Sequence, residues 1–177
     1  MSDGLTAARA LEDPGARAEA LIRHYFDMCN AADRDGLIAC FSADGAHYFP
    51  PGLRGVPWRT AEAIADGWVW CVGRLGSQWT LETILAAPDG RRAVSEWTHY
   101  TTTTGEVLRG TEWYEFDDAV SVIHEIRAYY ASPINHGQAH NALVGFDYAG
   151  RGYHTAPTTS PPPSARVGAA ADRAEQP

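Results

Sequence analysis

The sequence predicts an α+β domain, with N-terminal helices packed on one face of a strongly bent antiparallel sheet. Apolar residues recur at helical spacing between Ala16 and Leu75. After Ser77 the pattern turns to strand-like runs at hairpin spacing. Turn signals separate those runs at Asp89-Gly90, Thr104-Gly105 and Asp117-Asp118. Helices first and strands afterwards fit α+β better than an alternating α/β order.

Each element has its own signal. Ala18, Leu21, Ile22, Tyr25, Phe26 and Cys29 make one apolar helix stripe, opposite Arg17, Glu19, Arg23 and Asp27. Asp33 suits the N-cap of a second, short helix carrying Leu37, Ile38 and Phe41. "AHYF", from Ala46 to Phe49, reads as a short strand, and the prolines and glycines of Pro50 to Pro57 as a loop. Thr60 suits the N-cap of a third helix, striped by Ile64, Trp68, Cys71, Val72 and Leu75, and Gly76 suits its end. "QWTLETILAA", "RRAVSEWTHYTT", "EVLRGTEWYEF" and "SVIHEIRAYYA" then form a meander.

The chain ends carry weaker patterns. Residues 1–15 have no clear period and read as a flexible arm. The domain is expected over 16–154, with a C-terminal extension from about 133. Residues 155–177 are rich in Pro and Ala and read as a disordered tail. His136 and His140 have i, i+4 spacing but flank Gly137 beyond Pro133, so no metal site is assigned there.

Composition excludes several function classes. The 177 residues are 45% hydrophobic and 20% charged, which suits a globular core. A formal net charge of −8 argues against nucleic acid or an anionic membrane as partner. No apolar run is long enough for a membrane span, and no signal pattern opens the chain, so a cytoplasmic location is expected. Cys29, Cys40 and Cys71 lack metal or redox spacing and read as buried structural thiols.

Strand alternation sorts the candidate site residues. If Glu112 faces the core, Leu108, Gly110 and Tyr114 share that face. His99 shares a face with Trp97 and Ser95 on the preceding strand, and His47 with Phe49. On the last strand Ile126, Ala128 and Tyr130 share one face and Arg127 the other, so if the first faces the core, Arg127 points outward. Burial disfavours the charged form of a carboxyl, and a neutral acid can donate to an oxygen or deliver a proton. Histidine is a natural complementary base. Glu112, His99 and His47 are therefore catalytic candidates, and Tyr25 joins them on the resemblance given next. Phe49, Trp68, Trp97, Leu108, Tyr114 and Ala128 are the candidate binding residues. A satisfied core carboxyl is the structural alternative for Glu112, as core packing is for Tyr25.

From about Ala16 to Ser132 the order of elements resembles the SnoaL-like branch of the NTF2-like superfamily, which includes ketosteroid isomerases, polyketide cyclases and limonene epoxide hydrolases. The resemblance implies a conical barrel with a deep pocket. "YFDMCNAADRDGLIACFSADGAHYFP" is similar to the isomerase opening. Tyr25 falls at the oxyanion-donor tyrosine, whereas Phe49 replaces the proton-shuttling aspartate. "TEWYEFDD" places Glu112 at the second oxyanion donor and at the acid/base aspartate of the cyclases. The arginine and two aspartates of the epoxide hydrolases fall at Trp97, His99 and Ala128, so that triad is absent.

The function expected is a cofactor-independent acid–base enzyme of cyclase, isomerase or dehydratase type, acting on a small, mainly apolar polyketide- or terpenoid-like molecule. A non-catalytic small-molecule-binding protein and water addition using His99 are alternatives. A metal site of His47, His99 and Glu112 is a further arrangement the residue types permit; no metal is assigned. The outward-facing Trp113, Tyr100 and Tyr129 lead to the expectation of a homodimer through the sheet.

Overall fold

The computed structural model describes residues 3–53, 55–130, 144–147 and 149–151. Two compact units run Met1–Gly145 and Phe146–Pro177. In the second, Arg151 lies over the Phe146 ring at 4.3 Å, and Asp147 accepts from the backbone of Gly150 at 2.9 Å. The expected tail, 155–177, lies outside the described residues.

The helices begin and end where short-range chemistry directs. α2, Pro14–Ala31, starts with Asp13 accepting from the Ala16 backbone N–H and with Pro at its first turn. Its predicted stripe, Ala18 to Cys29, is buried. Burying side chains such as Leu21, Ile22 and Phe26 contributes about 1.5–3 kcal/mol each. α3, Arg34–Cys40, is capped by Asp33 as expected. α4, Ala61–Leu75, is capped by Thr60 and ends at Gly76, whose φ of 64° is left-handed.

The arm expected over residues 1–15 is corrected by the fold. Asp3–Arg9 forms a short helix, α1, that buries Leu5 and Ala8. Arg9 ties it down by donating to the carbonyl oxygens of Ser121 and Ala39, at 2.8 and 3.0 Å. Seven residues are too few to display a helical period, and long-range contacts supply the missing stability.

The strands are β1 Phe41–Tyr48, β2 Trp58–Arg59, β3 Ser77–Ala86, β4 Arg92–Thr101, β5 Glu106–Phe116 and β6 Ile123–Tyr130. They form one open, curved sheet in the order β2-β1-β6-β5-β4-β3. The expected meander is present from β3 to β6, all antiparallel. β1 then pairs parallel to β6, placing the start and end of the domain side by side. The helices cover the inner face, where their apolar stripes meet inward residues of the strands. The outer face exposes Trp113, Tyr100 and Val107. Among the described residues no helix is long and apolar enough to cross a membrane.

Candidate functional site

A chain of polar side chains crosses the inner face beneath the helices. Ser95 of β4 lies opposite Glu112 of β5, and Glu112 lies opposite Ala128 of β6. The hydroxyls of Ser95 and Tyr114 are 3.1 Å apart. The Tyr114 hydroxyl donates to Glu112 Oε2 at 2.6 Å. On the far side of β6, His47 Nε2 stands 3.4 Å from Glu112 Oε1.

That contact depends on the residue between. β1 and β5 flank β6 and are about 10 Å apart at ordinary strand spacing. Glu112 and His47 reach one another diagonally, because β6 presents only the methyl of Ala128 opposite Glu112. Ala128 is thus the low point over which the pair meets.

The chain is enclosed almost completely. His47 is 0% exposed and Glu112 3%. Burial lowers the pKa of His47, with Glu112 opposing in part, so the imidazole is neutral near pH 7. Burial raises the phenols of Tyr114 and Tyr25 well above their usual value, with Glu112 adding to both. The 3.4 Å separation is a close electrostatic contact rather than a well-formed hydrogen bond, and both His47 nitrogens lack a hydrogen-bond partner among the described residues.

Aromatic rings wall this chain. Phe49 stacks on His47 at 3.9 Å, Trp68 meets His47 edge-on at 5.4 Å, and Trp58 packs on both Phe49 and Trp68. Gly67 lets α4 lie this close, since a Cβ there would sit 2.5 Å from the Trp58 ring. Gly110 does the same for Trp97: an added Cβ would meet its ring at 2.6 Å. Trp68 continues the wall to Trp79, at 4.9 Å.

The candidates therefore divide. Glu112, His47 and Tyr114 form the chain, with Phe49, Trp68 and Ala128 against it. Tyr25 packs edge-on near Tyr114, with ring centres 6.5 Å apart, and lies close enough for Glu112 to influence its phenol. Leu108 lies opposite His99.

His99 is not brought to Glu112. It lies four residues along β4 from Ser95, about 13 Å at strand rise. Its Nε2 pairs with Ser77 Oγ at 2.9 Å, and its ring stacks on Trp79 at 4.7 Å. Of the two candidate histidines, His47 rather than His99 is thus the one beside Glu112. Among the described residues no three His, Cys, Asp or Glu side chains converge as metal ligands, which removes the His47, His99 and Glu112 arrangement.

Two positioning residues escaped the sequence reading. Asn30, at the end of α2, donates to Trp79 O at 2.9 Å and accepts from Trp79 N at 2.7 Å. This double hydrogen bond fixes Trp79, and through it the ring of His99. Trp58 belongs to a two-residue strand too short for alternation to reveal. The three cysteines are buried, and burial pushes the Cys40 and Cys71 thiols up to about 12, which suits inert structural roles.

Helices laid over the inner face of an open, bent sheet, with a polar chain enclosed by aromatics, define an NTF2-like α+β domain. Residues 22–125 match the SnoaL-like domain model, and the chain belongs to that family. A protein of unknown function with a cystatin-like fold from Methylobium petroleophilum is 45% identical, with a TM-score of 0.78 over 84% of this chain and 97% of that one. A candidate polyketide cyclase from Sinorhizobium meliloti is 18% identical, with a TM-score of 0.52 over 61% and 92%. A Mycobacterium tuberculosis protein in complex with estradiol-17β-hemisuccinate is 16% identical, with a TM-score of 0.55 over 68% and 95%. The last two likenesses show the fold. A comparison with curated proteins finds no match.

Proposed function

We propose that this chain is a cofactor-independent enzyme that moves protons on a small, mainly apolar, oxygen-bearing molecule, as cyclases and isomerases do. The observation that carries this reading is the buried contact between His47 and Glu112. A neutral imidazole has a lone pair to accept a proton from an acidic C–H. A carboxyl beside it can hold that proton or return it at another atom. Tyr114 remains protonated and donates to Glu112 Oε2, so exchange with His47 is confined to Oε1. The pair ends each cycle as it began, and no external reductant or oxidant is required.

The aromatic wall fits a cyclic apolar ligand. The estradiol derivative bound by a protein of the same fold supports a substrate of that general shape. Water addition through His99 has less support, because the hydrogen-bond partner of its Nε2 is Ser77 rather than a carboxylate.

Deuterium wash-in tests the proposal. The purified protein is incubated in D2O with a panel of cyclic ketones and β-diketones, and label at the α-carbons is read by mass spectrometry. Wild type should label at least one compound. Glu112→Gln and His47→Gln should each slow labelling by about 10²–10⁴-fold. Equal labelling by all three proteins would sink the assignment. A ligand that binds but never labels would instead favour a binding protein.

A further inference from the structure

The aromatic wall holds two polar atoms that the protein itself does not use. The indole nitrogens of Trp68 and Trp97 are buried and have no hydrogen-bond partner among the described residues. The two side chains are 6% and 4% exposed. An indole N–H donates and cannot accept. Leaving such a donor unpaired in the interior is unfavourable, and phenylalanine would fill much of the same space without that penalty.

Both residues belong to the site already described. Trp68 contacts His47 and Trp79. Trp97 follows Ser95 by two residues on the same face and leans over Gly110 toward Tyr130. The proton-transfer pair makes no use of either indole. The side chains named around the pair include no Lys or Arg, and a buried anion beside Glu112 would lack a counter-charge.

We infer that Trp68 and Trp97 are specificity-determining donors that select a neutral ligand carrying at least two acceptor oxygens, of carbonyl or ether type, on an apolar ring frame. The inference rests on reading this face as a small-molecule site. It adds which oxygens are recognised and by which residues. A hydrocarbon of the same shape would leave both N–H groups unpaired, so the site discriminates by an unmet donor rather than by size.

Matched probe pairs test this. 1,4-Cyclohexanedione and 9,10-anthraquinone, each with two acceptor oxygens, are compared by calorimetry with carbon isosteres in which C=CH2 replaces both C=O groups. Wild type should bind the ketones roughly tenfold more tightly than the isosteres. Trp68→Phe and Trp97→Phe should each reduce that ratio while leaving isostere affinity nearly unchanged. Should a variant fail to fold, indole ¹⁵N–¹H spectra of wild type provide the second reading: the Trp68 and Trp97 N–H signals should move downfield with ketone and not with isostere. A ketone-to-isostere ratio near one, unmoved indole signals, or no ketone binding would each overturn the inference. Glu112→Gln separates it from the catalytic reading. That variant should keep the ketone preference while losing deuterium wash-in. Preference without any wash-in by wild type would sink catalysis and leave the recognition intact.

Discussion

Two of the three glutamates of β5, Glu112 and Glu115, lie on opposite faces of the sheet, and their surroundings differ in one respect. On the outer face, Arg127 Nη1 donates to Glu115 at 3.0 Å and to Glu125 at 2.8 Å, with Arg127 and Glu125 both buried. On the inner face Glu112 is as deeply buried, yet its partners are a phenol and a neutral imidazole. A guanidinium does not give up its proton, so the outer cluster has a fixed charge and serves as structure. The inner cluster has no such fixed cation, and on the proposed reading it is the one that exchanges a proton. Burial by itself does not separate the two carboxyls; the nature of the partner does.

The largest expected effect breaks the outer cluster. Arg127→Met leaves Glu125 buried against a lost cation and should cost about 3–5 kcal/mol in urea unfolding. Adding Glu125→Met should recover much of that loss. Glu112→Gln, which retains a carbonyl oxygen for Tyr114, should change stability by about 1 kcal/mol or less. A loss below about 1 kcal/mol in Arg127→Met would show that the two faces do not differ as described.

A smaller effect is expected at Ala128, the low point of the inner face between Glu112 and His47. Ala128→Leu places a branched side chain where Glu112 and His47 meet. Overpacking of this kind costs about 1–3 kcal/mol. Wash-in activity should fall by more than that stability loss explains, since the wedge separates the pair while leaving both residues present. Unchanged wash-in would mean that the contact over Ala128 is not required.

Much of this arrangement was legible in the sequence, and the gaps have physical causes. Alternation paired Glu112 with Tyr114 on β5 and Ser95 with Trp97 on β4, and the antiparallel register sets both pairs on one face. The caps at Asp33, Thr60 and Gly76 were equally local. The parallel pairing of β1 with β6 joins residues some eighty positions apart, and no local pattern encodes it. That pairing brings His47, rather than His99, to Glu112. Arg127 was placed outward correctly, but its burial depends on neighbours that alternation does not reveal.

The smallest expected effect is a pH slope that reads His47 directly. Burial holds its folded pKa below the ordinary 6.5. As pH falls through about 6.5 the unfolded chain takes up a proton that the folded protein refuses. Stability contributed by neutral His47 is therefore present above about pH 6.5 and lost progressively below it, until the lowered folded pKa is reached. The limiting slope is about 1.4 kcal/mol per pH unit. His24 and His99 are shifted in the same direction, also by burial, so the measurement is a difference between proteins. Urea unfolding at pH 7.5 and 5.5 should show a larger loss for wild type than for His47→Gln. Glu112→Gln removes the one influence that raises the His47 pKa and should carry the slope to lower pH. Parallel slopes in all three proteins would mean that the imidazole is solvated, and the inner face would then have no privileged proton.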